Sequence, residues 1–586
     1  MSNQYWDNNE KNVVKDKLFS PLYGVKLTGG LFHEVFYNNI NYLKHIDIDA
    51  MLYWFRRRAG KDAPGKPYEG HFEDNIKGQT AGLFLMGAGN TLRWVDEPEL
   101  RNTLDKIVNE IESCAEPDGY LMAVAKEDFG TLEYPHYVRI WLTYGLAAAA
   151  LCGNTSAFTM LRRWQDWFNT CDDLPVIKYL VLAFQGIVAS TYLFNTPIGK
   201  PEDIDVTIRY YEEDWRLAQF IGKERNAVHT RNQPGVEPHP HGTEIEAMEG
   251  YLDLYRATGR HYYLRAVQNF FELYRQDWQY PGGGIAMCEA ENAYPQCYWL
   301  SNDRHYNELC CSSFWLLLNQ RFHRLFPDKE FYVAEMESSI YNIGIANQNK
   351  DININYFAFL DKKKINYDSL VHCCCGVGTR MYGSLPEYLY SITPDTLYVD
   401  LFAESEFAWE RKEGTVNILM HTSMPYGNRV ELLFSCVPQE FDLNLRIPCW
   451  TEGTVGIFLN NQLIVEGDPG SYVTISKRWQ TNDRLVFTLP FSWKITQYKG
   501  AEQVEKHSRF AFEYGPLLMA VRGPLDKEGH VAFAFKPEEL TSMLKETDKP
   551  MHFSICGTEG YELVPYLEIK PDMEFTCFPL FGGIQT

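Results

Sequence analysis

Two short runs of this chain gather soft metal ligands. One is Glu308-Leu-Cys310, extended by Cys311; the other is Cys373-Cys374-Cys375-Gly-Val-Gly378. Inside a helix, side chains at i and i+2 diverge by about 200°. At a helix N-terminus, however, Glu308 and Cys310 can both reach an ion just beyond the end. Thiols at a helix start are favoured as thiolates by the dipole. One carboxylate with two or three thiolates is a borderline-soft set that suits Zn²⁺. The competing reading is a group of inert cysteines, a residue type often buried. The wide separation of the two runs is no standard zinc-finger spacing. Gly376 and Gly378 are expected to let the backbone turn sharply before the next helix.

Two further groups could act on a substrate. Gly282-Gly-Gly-Ile-Ala-Met-Cys-Glu289-Ala-Glu291 puts two acids after a glycine-rich turn, which suits a general acid approaching a substrate oxygen. Glu237-Pro-His239-Pro-His241-Gly offers two imidazoles for a metal or for sugar hydroxyls. Each has a plainer reading, as exposed loop acids and as structural histidines of a proline-rich loop.

The elements that must position these residues change character along the chain. Leu100, Leu104, Ile107, Val108 and Ile111 fall at helical spacing, as do Ile245, Met248, Leu252 and Tyr255 before Gly259. Similar stretches cover 136–152, 155–170, 175–194, 203–221, 261–277, 306–325, 328–348 and 377–391. Ten or more helices with short links suit a helical toroid; no fixed repeat period supports a regular solenoid. From about Thr393 short alternating or apolar runs take over, such as Val416–Met420, Val430–Phe434 and Phe441–Ile447. They predict a β-sandwich, and the mixed stretch after Trp493 could form a second one. The expected division is a helical domain over 1–392 and β-domains over 393–492 and 493–586.

Composition narrows the partners. The 586 residues carry a formal charge of −22 and no basic stripe, which argues against nucleic acid. No apolar run is long enough to span a membrane. Aromatic residues reach 15%, enough for large cores and for stacking on sugar faces. Fourteen cysteines are too sparse for a disulfide scaffold. The first residues show no basic segment followed by an apolar core. That predicts a cytosolic protein if Met1 is the native start and an exported one if a leader was removed. A homodimer is compatible with all of this.

From about Val25 to Ser391 the chain resembles glycoside hydrolase family 127 and its relative family 146, the cysteine-dependent β-L-arabinofuranosidases. The resemblance is carried by Asn41–Gly60 with its Phe-Arg-Arg-Arg-Ala-Gly, by Asp118-Gly-Tyr-Leu121, and by Trp299-Leu-Ser-Asn-Asp303 ahead of Glu308-Leu-Cys310. Cys373-Cys374 with Gly376 and Gly378, followed by Tyr388-Leu-Tyr-Ser391, completes it. It implies an (α/α)6 barrel followed by β-sandwich domains. It also implies a retaining hydrolase that releases a terminal L-arabinofuranose-like sugar from a plant-type oligosaccharide or glycoside. Carried over, Cys373 takes the nucleophile position, and Glu308, Cys310 and Cys374 are the other zinc ligands. Glu289 is the acid/base, with Glu291 as fallback, and His241 is a substrate-pocket histidine. The chain also departs from the family. An early Gly-His pair reads Gly78-Gln79, a Tyr-x-x-His-Lys segment reads Tyr137-Val-Arg-Ile-Trp141, and Cys375 adds a third adjacent thiol. Gln79 and Tyr137 are thus expected to touch substrate, and the sugar could be another rare pectic one. A non-catalytic carbohydrate-binding zinc protein is the alternative from another class. An (α/α)6 lyase, epimerase or unsaturated-uronyl hydrolase would leave the cysteines unexplained.

Overall fold

A computed structural model describes residues 4–6, 9–68, 76–129, 134–171, 186–212, 215–224, 242–286, 300, 307–349, 353–365, 371–571 and 573–582. The helical part contains α1 (Gly30–Lys44), α2 (Ile48–Arg58), α3 (Gln79–Leu92), α4 (Pro98–Cys114), α5 (Tyr134–Leu151), α6 (Ser156–Asn169), α7 (Gly186–Phe194), α8 (Pro201–Tyr211), α9 (Trp215–Ile221), α10 (Gly242–Thr258), α11 (His261–Asp277), α12 (Leu309–Leu325), α13 (Glu330–Ser338) and α14 (Cys373–Gly383). Six of them pack into a closed inner ring in the order α3, α5, α7, α10, α12, α14 and back to α3. Outer helices α1, α4, α6, α8, α11 and α13 pack against that ring.

Burial follows the pattern of apolar residues. Every residue of α3 is buried, as an inner helix requires. The outer α4 starts at Pro98, where a missing N–H costs nothing, and buries only the stripe from Leu100 to Ile111 with Cys114. Helices α3 and α5 approach closely because Gly82 has no side chain. A Cβ there would lie 2.5 Å from the Trp141 carbonyl carbon. The alternation of inner and outer helices makes the inner six parallel. Their C-terminal turns meet around one cavity of ≈ 110 Å³, where Asn90, Leu151, Tyr192, Asp253, Gln320 and Arg380 come one from each inner helix.

Several element boundaries differ from the sequence pattern. The 203–221 stretch is two helices, α8 and α9. The 328–348 stretch stops being α-helical at Ser338 and continues as a π-helical turn over Ser339–Gly344. The 377–391 helix starts earlier, at Cys373, and ends at Gly383; Tyr390–Ile392 is already a strand.

Beyond the barrel a seven-stranded and a four-stranded sheet face each other. The seven-stranded sheet begins with Val25–Leu27, which pairs antiparallel with Ser405–Trp409. A chain segment ahead of the barrel is thereby stitched into the β-region. Phe434, Phe441 and Trp479 stack in the core between the sheets. Residues after 493 form most of a ten-stranded hydrogen-bonded network, which also takes in Asp361–Lys362 from before α14.

A buried ion cluster clamps the barrel to the first β-region. Arg446, fully buried, donates to Glu330 at 2.8 Å and to both Glu337 oxygens at 3.0 Å. Burial raises the Glu330 carboxyl, and Arg446 opposes the shift. Removing the guanidinium strands two buried carboxyls, whose loss of pairing costs about 3–5 kcal/mol. Arg446→Ala is therefore expected to lower unfolding stability by about that amount in denaturant titrations; a loss under about 1 kcal/mol would refute the clamp.

Candidate thiolate and metal centre

The centre is built where the N-termini of α12 and α14 meet. Asn307 adopts a left-handed conformation (φ 64°) and locks the chain just before α12. Its carbonyl accepts from the Ala358 N–H at 2.9 Å, and the Leu309 N–H donates to the Tyr356 carbonyl at 3.0 Å. Zipped to 356–358 in this way, Glu308 becomes the N-cap residue of α12. Its side chain makes no capping hydrogen bond and instead faces the cysteines. On the other side His372 caps α14: its Nδ1 accepts from the Cys375 N–H at 3.1 Å. That bond fixes the tautomer, leaving Nε2 to donate to the Ile354 carbonyl at 3.2 Å. Burial pushes the imidazole down to about 4, so it caps as a neutral ring.

These two caps bring four donor atoms together. One ligand atom each from Glu308, Cys310, Cys373 and Cys374 lie within 4.8 Å of one another. The Cys374 sulfur is 3.1 Å from that of Cys310 and 3.2 Å from Glu308 Oε1. The Cys373 sulfur is 3.6 Å from the same oxygen. Four donors around one tetrahedral ion with metal–sulfur bonds of about 2.3 Å would stand about 3.5–3.8 Å apart. The 3.1–3.6 Å separations fall within about 0.7 Å of that arrangement, and the donor types suit a divalent, borderline-soft cation. All cysteines among the described residues are free thiols.

Electrostatics single out Cys373. Hydrogen bonds from Cys310 and Cys374, and one from the Tyr356 hydroxyl at 3.4 Å, hold its thiol well below the usual range despite burial. Burial pushes Cys310 and Cys374 the other way. The Cys310 N–H, in the first turn of α12, donates to the Cys374 sulfur at 3.3 Å. Cys373 is also the most exposed of the four, at 6% against 0% for Cys374.

The neighbours of the cluster divide cleanly. Cys375 points away, with its sulfur 2.9 Å from His372 Nε2, and burial pushes its thiol up to about 12. It lines an apolar pocket with Tyr42 and Leu83 instead. Cys311 lies under Gly242 of α10, outside the donor set. Gly376 and Gly378 correct the sequence reading: they sit inside α14, not at a turn ahead of it. Gly376 is needed for packing, since a Cβ there would lie 2.5 Å from Leu83 of α3.

Of the expected substrate residues, Tyr137 of α5 stands beside the cluster. Burial raises its phenol first, and Cys373, then Cys310, push it further. Gln79 opens α3, fully buried, and neither end of its carboxamide has a hydrogen-bond partner among the described residues. His239, His241, Glu289, Glu291, Trp299 and the 301–303 segment lie outside the described residues. The Gly282–Gly284 turn ahead of Glu289 is described. All three glycines have φ between 85° and 97°, and Asn342 and Ser338 hold the Gly282 carbonyl at 2.8 and 3.0 Å.

Sequence reasoning missed two residues. Tyr356 reaches Cys373 from the irregular stretch 355–360, whose aromatic side chains read as core. Glu246 of α10 is fully buried, and neither carboxyl oxygen has a hydrogen-bond partner among the described residues. Its carboxyl is raised well above the usual range by burial and then by Glu249. It lay within a helical stripe, where an acid reads as surface.

Comparison with known proteins adds the family. The sequence profile of the β-L-arabinofuranosidase GH127 catalytic domain matches residues 24–387, and that of the GH127 middle domain matches 396–491. The chain belongs to the GH127 β-L-arabinofuranosidase family.

Solved structures agree with this GH127 membership at the level of fold. A GH127 β-arabinofuranosidase superposes with a TM-score of 0.76 at 16% identity, covering 99% of both chains. A GH127 β-L-arabinofuranosidase from Geobacillus stearothermophilus T6 gives 0.73 at 18% identity, covering 95% of this chain and 99% of its own. A protein described as a glycoside hydrolase gives 0.72 at 14% identity over 99% of both chains. A search of curated protein sequences gives no match. The helical region and the β-regions of this GH127 chain thus form the expected (α/α)6 barrel with appended β-domains, and its substrates are glycosides. No helix among the described residues is long and apolar enough to cross a membrane.

The donor geometry separates the cysteines by metal analysis. Cys310→Ala and Cys374→Ala should each lower the bound metal per chain by at least about tenfold after dialysis, the scale seen when ligand-shell groups are removed. Cys375→Ala should leave the ratio unchanged; metal loss in that variant would overturn the assignment.

Proposed function

We propose that the protein is a retaining glycosidase that releases a terminal L-arabinofuranose-like sugar from plant-type glycans, with Cys373 as nucleophile and Glu289 as acid/base. The observation that carries this reading is the convergence of Glu308, Cys310, Cys373 and Cys374 on one buried point. Zn²⁺ is the ion we assign there, because three sulfurs and one carboxylate form a set it favours over Mg²⁺ or Ca²⁺. Glu308, Cys310 and Cys374 would hold it, with Cys373 joining or completing the set. Its contribution when bound is to keep the sulfurs ionised at neutral pH and fixed in place.

The chain's own residues supply the rest. The Cys373 sulfur attacks the anomeric carbon, forming a C–S bond as the bond to the leaving oxygen breaks. Glu289 gives its proton to that oxygen. The glycine-rich turn at 282–284, seven to five residues ahead of Glu289 in sequence, suits this role. A water molecule then gives a proton to Glu289 as its oxygen displaces sulfur, which returns the thiolate and restores the acid. Two inversions give net retention, the logic of two-carboxylate enzymes with sulfur replacing one carboxylate. The Tyr356 hydroxyl stabilises the charge on Cys373 both before attack and after departure. His241, Gln79 and Tyr137 would bind the sugar. The same reading assigns a catalytic domain to 1–392 and accessory β-domains to 393–492 and 493–586.

Assays on aryl β-L-arabinofuranosides, run beside metal analysis, test this. Cys373→Ser should abolish turnover while the fold and its melting stay intact; near-normal kinetics would refute the nucleophile. Glu289→Gln should lose activity on natural glycans and keep it on substrates with good leaving groups. Such a pattern in Glu291→Gln would move the acid/base there. Tyr356→Phe should lower kcat by roughly tenfold, the worth of one hydrogen bond to a charged group, and should shift the nucleophile's pH limb upward.

A further inference from the structure

A groove of ≈ 440 Å³ lies on the outer face of the four-stranded sheet. Three neighbouring strands form its floor: Thr396–Val399, Gln439–Ile447 and Ser471–Trp479. Alternation sorts their side chains. Leu397, Leu443 and Ile475 are buried in the sandwich, while Thr396, Tyr398, Asp442, Asn444, Tyr472 and Thr474 line the groove. Register sets Tyr398, Asn444 and Thr474 side by side across the sheet, with Asp442 beside Thr396 in the next row. Pro327 and Asp328, just past the end of α12, add a wall.

Several of these groups are placed to meet a ligand. Asn444 is only 7% exposed. Its side-chain oxygen accepts from the Thr474 hydroxyl, and its amide nitrogen has no partner among the described residues. The Tyr472 ring is held in place: its hydroxyl donates to buried Asp400 at 2.7 Å, and the His323 ring stacks on it at 5.9 Å. Tyr398 meets Tyr472 edge-on, with ring centroids 5.3 Å apart. Burial first, then Asp400, Asp328 and Asp442, push the Tyr398 phenol up to about 12, so it stays a donor. That hydroxyl and the Asp328 and Asp442 carboxylates have no hydrogen-bond partner among the described residues.

This combination matches a sugar. Aromatic rings suit its apolar C–H faces, carboxylates accept from its hydroxyls, and the amide and phenol donate to them. Two carboxylates, in a chain of formal charge −22, disfavour an acidic glycan. The volume falls within the ~300–1,000 Å³ of ordinary small-molecule sites. The groove is also remote from the thiolate centre. Cys310 lies in the first turn of α12 and Pro327 just past its other end, and the 17 residues of that helix span about 25 Å. A sugar held here is not the one at Cys373.

We propose that this groove is a second carbohydrate-binding site, which holds a neutral oligosaccharide stretch away from the point of cleavage. It goes beyond the glycosidase reading and does not require Cys373 to be the nucleophile.

The test is calorimetric titration of the full chain carrying Cys373→Ser with short oligosaccharides of arabinan, galactan and xylan. At least one should bind, and adding Tyr398→Ala and Asp442→Ala should weaken that binding roughly tenfold, the worth of a charge-assisted hydrogen bond and a ring contact. In the otherwise unaltered chain, the same pair of substitutions should leave the melting temperature and both constants for an aryl β-L-arabinofuranoside unchanged. Binding of none of the three, or equal binding with and without the pair, overturns the proposal. So does equally tight binding of an oligogalacturonide. A changed aryl KM at unchanged melting would overturn the separation from the thiolate centre. If the double variant melts early, Asp328→Ala, at an exposed position, carries the same comparison. If the unaltered protein cleaves no furanoside, the glycosidase reading falls and the titration still decides the groove.

Discussion

Everything at this site follows from packing three sulfurs and a carboxylate into one dry pocket. Two like unit charges about 4 Å apart repel by about 4 kcal/mol at an effective dielectric of 20. Four mutually adjacent anions would raise that several-fold, beyond the ~5–15 kcal/mol that holds a typical domain together. Without a cation such a cluster would favour a single anion, and hydrogen bonds from its neighbours lower the Cys373 thiol while burial raises those of Cys310 and Cys374. Only a multivalent cation lets the other sulfurs ionise, and the same donors that disfavour extra anions are the ones that would grip it. The grip on a cation and the lowered thiol of Cys373 are thus two consequences of one crowding.

The barrel topology supplies the second half of that balance. Six parallel inner helices each present a partial positive charge at the end where the centre lies. The opposite end must then deal with six partial negative charges. The structure places Arg93, Arg256, Arg321, Arg324 and Arg380 around the cavity there. Four come from the last turns of inner helices or the residue that follows, and Arg321 precedes the last turn of α12 by one residue. Asp16 from the N-terminal segment pairs with Arg256 and Arg324, Glu387 with Arg93, and Glu249 with Arg321. The Arg380 guanidinium lies over the Tyr144 ring at 4.5 Å. The arginines are best understood as the counterweight to the end that carries the cysteine cluster, because the helix termini they face would repel a bound anion.

What the sequence made legible follows the same division between local and non-local causes. The stripe at 100–111 and the strands over 416–447 could be read because burial imposes a period on consecutive residues. Glu308 and Cys310 could be paired because a helix start is a local event. Three adjacent cysteines, by contrast, look alike in sequence. Only the His372 cap and the turn it sets decide that Cys373 and Cys374 face the cluster while Cys375 faces Tyr42. Gly376 misled for a related reason: glycine was read as backbone freedom, whereas Leu83 of α3, remote in sequence, claims its missing side chain. Tyr356 and Glu246 had no local signal, since their roles are set by which elements the ring places opposite them.

The β-regions are more than appendages to this arrangement. Asn342, in the π-helical turn after α13, donates to the Gly282 carbonyl and accepts from the Leu518 N–H at 2.8 Å. A Cβ on Gly282 would strike Leu518 itself. One barrel side chain thus ties the glycine turn at 282–284 to the C-terminal sheet. The clamp at Arg446 and the strand at 25–27 bind the other β-region just as firmly. The C-terminal sheet reaches the cysteine cluster as well. The 356–358 stretch that seats Glu308 runs on into Asp361–Lys362, which pairs with Phe575–Thr576, and the Tyr566 hydroxyl donates to the Phe359 carbonyl at 2.7 Å. The cluster and the glycine turn therefore both lean on the same β-region.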